Sequence, residues 1–257
     1  AVKDGNYRPL SRVECVEASH PVPDERGLDA ARRIVSIAGD ADERDLIIAL
    51  ISGGASSLLP LPPDGISLED KRAATQLLLK SGASISEMNA VRKHLSLIKG
   101  GLLARVAFPA TVLNIMVSDV VGDRIDVIGS SPFAPDSSTF AEAVSICERY
   151  GIYHSLPGPV RDYLARQAKN PVNETPKPGD PCFERVFSLI IASNRLSLEA
   201  ARQAAADMGY HALVLSSMIE GDTAQAARFH AAIAREAEES GNPVKLPACI
   251  ISGGETT

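Results

Sequence analysis

The sequence predicts an α/β protein with a mostly parallel sheet and helices on both of its sides. From residue 186 onward, short apolar segments alternate with helical segments of ten or more residues, which is the pattern of βαβ units. Two earlier apolar runs, 45–51 and 111–117, lack polar alternation, as expected for strands buried on both faces. We therefore expect a Rossmann-like, three-layer α/β/α domain and the start of a second α/β domain.

The individual elements follow from periodicity and capping signals along the chain. A Pro-rich turn covers residues 20–27, and the capping box Ser84-x-x-Glu87 opens a long helix over 84–107. Strands are expected at 13–18, 45–51, 111–117, 186–192, 212–215 and 248–251. The remaining helices are expected at 28–38, 67–80, 137–150, 159–168, 196–208 and 224–239.

A polar stretch rich in Pro, Lys and Asn, at residues 169–181, is the candidate boundary between domains. We place the domains at residues 1–183 and 184–257. The chain has no initiator Met and opens on a strand-like run, so we expect both of its ends to be internal to a longer protein.

The composition is typical of a globular protein, with 257 residues of which 45% are hydrophobic and 23% are charged. A net charge of −6 and the lack of a Lys/Arg run argue against binding to nucleic acid or to a membrane surface. No apolar run reaches the length of a transmembrane helix, and we expect no signal peptide. Four widely separated cysteines are expected to be free thiols, as in a cytoplasmic protein.

Ligands of open α/β sheets bind beyond the carboxyl ends of the strands, so we looked for polar side chains there. The segment after residue 51 is Ser-Gly-Gly-Ala-Ser-Ser. Its glycines allow close approach of the backbone, and its N–H and hydroxyl groups suit an oxyanion or a phosphate. The candidate ligands of such an anion are Ser52, Gly53, Gly54, Ser56 and Ser57. A plain tight turn is the alternative.

Two further turns carry acidic residues. Asp119 and Asp123 follow the strand at 111–117, and together they could hold Mg²⁺, whereas taken alone their residue pattern slightly favours an N-cap and a solvated carboxylate. The Ser-Gly-Gly sequence recurs after the last strand, where Gly253 and Gly254 precede Glu255. We expect this second segment to be a turn whose Glu255 assists with a metal or a hydroxyl.

The predicted long helix adds cations at the rim of its buried face. Asn89, Arg92 and Lys99 lie one position beyond the apolar stripe, and Arg92 and Lys99 are two turns apart. Both cations could face an anionic ligand, whereas a solvated charged face is the alternative. We interpret His94 as a structural histidine.

Six segments together resemble the glycerate 2-kinase family, the class II glycerate kinases. They are HPVPDERG, LISGGASSLL, SGASISEMNAVRKHLSLIKGGLLA, SDVVGD, PDSSTF and ISGGETT, and their order and spacing match nearly the whole chain. The resemblance implies a two-domain α/β enzyme that transfers the γ-phosphoryl group of ATP to the 2-hydroxyl of D-glycerate with Mg²⁺.

Members of this family usually have a longer N-terminal part with a Gly-Lys-Ala-type loop. They continue after GGETT into a Gly-rich segment with an Arg-Asn pair. This sequence also departs from the family internally, because Ser130-Ser131-Pro132-Phe133 stands where Ser-Gly-Pro-Thr is expected. The departure puts in doubt how closely that segment approaches a ligand.

With the resemblance, each candidate residue has a hypothetical role. Arg92, Lys99 and Asp119 are assigned to catalysis, and Asp119, Asp123 and Glu255 to Mg²⁺. Substrate or phosphate binding is assigned to Ser52, Gly53, Gly54, Ser56, Ser57, Asn89, Gly253 and Gly254. We expect the two Ser-Gly-Gly segments to face one cleft. The expected partners are D-glycerate and ATP, and a homodimer is an option.

Two other functions stay open. Relatives of this family are sometimes named hydroxypyruvate reductases, but the chain contains no G-x-G-x-x-G dinucleotide fingerprint. A binding or regulatory module without catalysis is the second alternative, because a fold does not determine a function.

Overall fold

The computed structural model describes residues 1–256 and divides into two compact units. One unit comprises Ala1–Ile115 and Ile125–Leu189, and the other Met116–Arg124 and Ile190–Thr257. The strands are β1 Val2–Lys3, β2 Glu17–Ala18, β3 Leu46–Ile51, β4 Thr111–Val117, β5 Val186–Ala192, β6 His211–Gly221 and β7 Ala248–Thr256. The helices are α1 Glu25–Gly39, α2 Ala55–Leu58, α3 Leu68–Lys80, α4 Ile85–His94, α5 Leu102–Ala107, α6 Phe140–Arg149, α7 Gly158–Lys169, α8 Asn194–Asp207 and α9 Thr223–Ser240.

Parallel pairing confirms the predicted α/β class. Strands β1 and β2 are parallel, as are β6 and β7, while β3, β4 and β5 form a three-stranded sheet in that order. The N–H of Val112 donates to Arg185 at the start of β4 and β5, and the N–H of Ser118 donates to Ala192 at their ends. These two strands therefore also run in the same direction.

Two apolar clusters form the core. The first joins α3, α4, α6 and α7 and includes Leu78, Val91, Leu95, Phe140 and Leu164. The second packs α1 and α5 against the three-stranded sheet. Burial of each large aliphatic side chain contributes about 1.5–3 kcal/mol relative to exposure, so these clusters hold the helices that carry the candidate site.

The helix starts agree well with their sequence signals. Ser67 and Ser84 cap α3 and α4, and each forms a full capping box, with Asp70 and Glu87 respectively. Asp24 caps α1 by accepting from the N–H of Gly27. Local side-chain chemistry therefore determines where these helices begin.

The single long helix predicted over residues 84–107 is wrong. Helix α4 ends at His94, and α5 begins only at Leu102. Gly100 and Gly101 lie between them at φ values of 60° and 84°, in the left-handed region that a helix cannot include. An added Cβ at Gly101 would lie 2.7 Å from the Phe183 ring, so this turn is tightly packed.

The expectation that β3 is buried on both faces is also wrong for the described residues. Ile47 and Ala49 pack on the second cluster, but Leu46, Ile48 and Leu50 are 58%, 57% and 75% exposed. On β5, Phe187, Leu189 and Ile191 are exposed as well. One face of this sheet therefore carries apolar side chains that the described residues leave uncovered.

The other expectations vary in outcome. The N-terminal strand predicted at 13–18 is only two residues long, and β6 extends well beyond 212–215. The four cysteines are free, with Cys147 and Cys182 buried. No described helix has the length and hydropathy needed to cross a bilayer. The domain boundary at residue 183 stays a prediction.

Candidate functional site

The first Ser-Gly-Gly segment is a turn that links β3 to the short helix α2. Gly54 adopts a φ of 84°, and an added Cβ there would lie 2.9 Å from the ring of His20. Ser57 closes the turn by donating its hydroxyl to the Gly54 carbonyl at 3.0 Å. Ser52 and Gly53 are exposed. The turn therefore needs a glycine at position 54, and it leaves the backbone at 52–53 accessible.

Ser56 is the centre of a cluster of cationic and hydroxyl groups. A terminal nitrogen of Arg92 donates to its Oγ at 2.7 Å. Lys99 Nζ donates to its carbonyl oxygen at 2.6 Å and to its Oγ at 3.0 Å. Ser130 Oγ lies 2.8 Å from Ser56 Oγ. The structure thus brings three of the predicted site residues, Ser56, Arg92 and Lys99, together.

The hydrogen-bond count at Ser56 shows that this cluster has an excess of donors. Ser56 Oγ accepts from both Arg92 and Lys99, which occupies both of its lone pairs, so its own proton is donated to Ser130. The proton of the Ser130 hydroxyl is then available to a ligand. Guanidinium and ammonium groups add further N–H donors, and acceptors are few, so the cluster suits an anion.

Burial and charge strengthen this conclusion. Lys99 is only 1% exposed, and burial, together with the nearby charges of Lys71 and Arg92, lowers its pKa well below the usual value. Burial also lowers the pKa of Arg92. Within residues 1–256, neither cation forms an ion pair with a carboxylate. An oxyanion would supply the charge that this cluster lacks.

The segment at 130–132 is joined to the Lys99 turn through the backbone. The N–H of Gly100 donates to Ser130 at 3.0 Å, and that of Gly101 donates to Ser131 at 2.7 Å. Ser130 and Ser131 have φ values of 60° and 57°. Such values are uncommon for residues other than glycine, and they are maintained only where the surroundings enforce them. Despite its departure from the family pattern, this segment reaches the cluster.

A second polar network anchors helix α4 on its other side. Lys93 Nζ lies 3.2 Å from Asp136 Oδ1, and both side chains are buried. His94 is fully buried, with its ring nitrogens bonded to the Ala90 carbonyl at 2.6 Å and to Glu174 at 2.8 Å. These contacts agree with a structural role for His94. Asn89, assigned to substrate binding, is also buried on α4.

The predicted metal ligands belong to the second unit. Asp119 is exposed and Asp123 half-buried on the loop after β4, and Glu255 is exposed on β7. Over the part of the chain that the structure describes, no group of three or more His, Cys, Asp or Glu side chains forms a metal site. The assignment of Mg²⁺ to these residues stays a prediction.

The second Ser-Gly-Gly segment was predicted to be a turn, and this prediction is wrong, because the segment is part of strand β7. Gly254 pairs with Ile219 of β6, and an added Cβ would overlap the Ile219 backbone. Ser252 Oγ lies 2.5 Å from His230 Nε2, and Asn194 donates to the Gly254 carbonyl. Pairing with β6 extends the strand through the glycines. Thr257 lies outside the described residues, and the shared cleft stays a prediction.

Comparison with known proteins identifies the family. The family described as a domain of unknown function, DUF4147, matches residues 1–165, which is more than half of the chain. The chain belongs to the DUF4147 family.

Curated relatives of this DUF4147 chain confirm the resemblance to glycerate 2-kinases. A "Glycerate 2-kinase" from Pyrococcus horikoshii is 42% identical over 99% of the chain, and a "D-glycerate 2-kinase" from Thermotoga maritima is 40% identical over 96%. An Agrobacterium vitis protein, provisionally named a hydroxypyruvate reductase, is 47% identical over 98%. The chain covers 57%, 56% and 56% of these three relatives, respectively.

Solved structures show the same similarity. A glycerate kinase from Thermotoga maritima matches with a TM-score of 0.88 and 39% identity, over 99% of this chain and 59% of its own. A Pyrococcus horikoshii protein matches with a TM-score of 0.84 and 42% identity, over 99% of this chain and 58% of its own. The DUF4147 chain therefore spans somewhat more than half the length of the proteins it matches.

Sequence reasoning missed three residues of the DUF4147 site. Lys71 and Ser130 belong to the donor cluster or its surroundings, and His20 lies against Gly54. A lone lysine in a helix and a serine in a loop carry no local signal of burial. His20 stands in a segment, HPVPDERG, that carries the family resemblance, and Ser130 begins the segment in which this chain departs from the family pattern.

Proposed function

We propose that this chain forms part of an ATP-dependent glycerate 2-kinase, which transfers the γ-phosphoryl group of ATP to the 2-hydroxyl of D-glycerate. The observation that carries the proposal is the cluster at Ser56, where Arg92, Lys99 and Ser130 present donors without a carboxylate partner. The names of the bacterial and archaeal relatives support the same activity.

The cluster at Ser56 suits the central demand of phosphoryl transfer, which is positioning and charge neutralisation. In the reaction, the 2-hydroxyl oxygen of glycerate bonds to the γ-phosphorus as the bond to the leaving ADP oxygen breaks. Arg92 and Lys99 would hold the glycerate carboxylate or the transferred phosphoryl group. Because their donors are fixed by Ser56 before substrate binds, little reorganisation is needed during the reaction.

Carboxylates of the second unit are the proposed ligands of the metal. Asp119 and Asp123 stand on one loop and offer the oxygen atoms that Mg²⁺ prefers, so their donor set fits this ion. Glu255 is the third proposed ligand. When bound with ATP, Mg²⁺ neutralises charge on the phosphate oxygens. Asp119 would also orient the attacking hydroxyl and accept its proton.

Assays of the protein that carries this chain test the proposal. ADP formation should require both D-glycerate and Mg²⁺, and it should stop when glycerate is omitted. Oxidation of NADH with hydroxypyruvate should stay at background, which separates the kinase from the reductase named for one relative. ADP formation that is independent of glycerate, or NADH oxidation at a substantial rate, would contradict the proposal.

A homodimer and a cytoplasmic location are further proposals. Size-exclusion chromatography tests the first, and cell fractionation tests the second.

A further inference from the structure

A further buried cation accompanies Arg92 and Lys99, and it contacts the chain at Leu95, between those two residues. Lys71 lies on α3 and is only 6% exposed. Its Nζ donates to the carbonyl oxygen of Leu95, at the end of α4. Within residues 1–256 it makes no ion pair, in contrast to Lys93, which is equally buried but paired with Asp136. Lys71 therefore places a charge in the interior without a local counter-charge.

The contact with Leu95 explains only part of this arrangement. An ammonium group at a helix C-terminus gains from the helix dipole, so Lys71 helps to end α4. This bond uses one of the three N–H groups of the ammonium. The two other N–H groups have no acceptor among the described residues, and a buried cation without a counter-charge is unfavourable.

The charged groups around Lys71 are mostly positive or already paired. Burial and then the charge of Arg92 lower the pKa of Lys71 to about 7, and the charge of Lys71 in turn lowers the pKa of Lys99. On α3 itself, Asp70 is bonded to Ser67, and Arg72 contacts Glu69 and the Pro23 carbonyl. The carboxylates on α4 and beside it are already bonded: Glu87 to Ser84 and Arg149, Asp136 to Lys93, and Glu174 to His94.

We infer that Lys71 is a third cation of the anion site at Ser56, and that an oxyanion bound there is accompanied by uptake of a proton. The inference rests on the proposed function, because the anion in question is the glycerate carboxylate or a phosphoryl group. The negative charge of the ligand favours the ammonium form, so the Nζ lone pair takes a proton from the buffer as the anion binds. Release of the anion returns that proton.

Isothermal titration calorimetry tests this coupling on the protein that carries this chain. D-glycerate, whose carboxylate is ionised at both pH values, is titrated in three buffers of different ionisation enthalpy at pH 8 and at pH 6. Inorganic phosphate titrates in this range itself, so it reports the affinity of the site and not the proton count. At pH 8 about nine-tenths of a lysine with a pKa of about 7 is neutral, so Lys71 alone should take up nearly one proton per bound anion. At pH 6 Lys71 is mostly protonated before binding, and the uptake should be several-fold smaller.

Two variants assign the proton to Lys71. Lys71→Arg keeps a permanent charge, so it should bind the anion within about threefold of the wild-type affinity while uptake at pH 8 falls by at least half. Lys71→Met should bind about tenfold more weakly. Lys80→Met is the matched control, because Lys80 is exposed at the end of the same helix, and it should match the wild type.

The outcomes separate this inference from the proposed kinase activity. Anion binding without proton uptake at pH 8, or the same uptake in Lys71→Arg as in the wild type, overturns the inference and leaves glycerate-dependent ADP formation untouched. Failure of both anions to bind overturns the inference as well. In that case the ADP assay decides separately whether the kinase proposal stands. Circular dichroism checks the fold of each variant, and Lys71→Arg decides the question if Lys71→Met does not fold.

Discussion

At the scale of single residues, Ser56 is the centre of the candidate site. Its hydroxyl is too small to bind a substrate alone, but it fixes the orientation of Arg92, Lys99 and Ser130. A serine in this position works as a shared acceptor that holds two cations close together against their mutual repulsion. The chemical character of the site thus comes from one side chain with two lone pairs.

Arg92→Ala tests the role of the guanidinium. We expect kcat/KM for D-glycerate to fall by at least about tenfold, a loss of roughly 1.4 kcal/mol of transition-state stabilisation, because one of the preset donors is removed. Steady-state assays of ADP formation give the value. Arg32→Ala is the control, since Arg32 is an exposed residue of α1 that pairs with Asp29. Unchanged kinetics in Arg92→Ala would remove Arg92 from the site.

The sequence predicted two of the cations at the candidate site, Arg92 and Lys99, but not the third, Lys71. Arg92 and Lys99 were singled out because a continuous helix would place them two turns apart, yet the helix ends between them. They meet at Ser56 because the chain leaves the helical path after His94, and the non-helical segment that follows places Lys99 against Ser56 of α2. Lys71 was missed, because its burial follows from the packing of α3 on α4 and not from any local pattern.

At the scale of elements, helix α4 both contributes a residue to the candidate site and is anchored to the rest of the protein by the next residue. Arg92 contacts Ser56, while the next residue, Lys93, is anchored to Asp136. Asp136 also accepts from the backbone and hydroxyl of Ser138 and from the hydroxyl of Thr175. Because Asp136 is bonded by several groups, it fixes the rotation of α4 and, through it, the position of Arg92.

Asp136→Asn should destabilise the protein by about 3–5 kcal/mol, because it leaves the ammonium of Lys93 buried without its counter-charge. Urea unfolding at neutral pH measures the loss. Lys93→Met/Asp136→Asn should lose less than the sum of the two single variants, since no charge is then left unpaired. Asp42→Asn, in the exposed pair with Arg44, should change stability far less than Asp136→Asn. Equal losses in the buried and exposed variants would refute this account.

Most element boundaries were within reach of sequence reasoning, and the failures share a cause. Ser67 and Ser84 predict the starts of α3 and α4 correctly, because capping is an interaction between residues close in sequence. The end of α4 and the extension of β7 through Gly253 and Gly254 depend on partners distant in sequence, namely residues 130–132 and strand β6. The spacing of hydrophobic residues along the chain does not predict such distant partners.

At the scale of the whole molecule, the described chain consists of two compact units, and both apolar clusters lie in the first of them. The parallel strands alone predicted burial on both faces, yet alternate residues of β3 and β5 are exposed. The apolar sequence of a strand predicts that both of its faces can be buried. It does not show which residues, if any, of the described chain pack on each face. Leu50, at 75% exposed, is the clearest example.

Acid should weaken the protein partly through Glu174. Burial alone would raise the pKa of this carboxyl, but the hydrogen bond and charge of His94, with the Phe140 N–H and Lys177, lower it to about 2. A carboxyl with a depressed pKa stabilises the fold above its ordinary pKa and loses that contribution as the pH falls toward the folded value. We expect Glu174 to contribute at most about 3 kcal/mol, lost between about pH 5 and pH 2.

Urea midpoints at pH 7, 5 and 3 measure this dependence. Glu174→Gln should be less stable than the wild type at pH 7, and the difference should shrink at pH 3. Glu148→Gln, which changes an exposed residue of α6, should follow the wild type at every pH. A constant difference between Glu174→Gln and the wild type from pH 7 to pH 3 would contradict the assignment.

The packing around Gly101 restricts how this protein can diverge. An added carbon there would meet Phe183, the Ala134 carbonyl and Pro176, and the φ of 84° disfavours any other residue. Gly158, by contrast, has open space around it. Drift among descendants should therefore leave position 101 unchanged while position 158 varies freely. The turn that follows Lys99 therefore depends on the absence of a side chain at position 101.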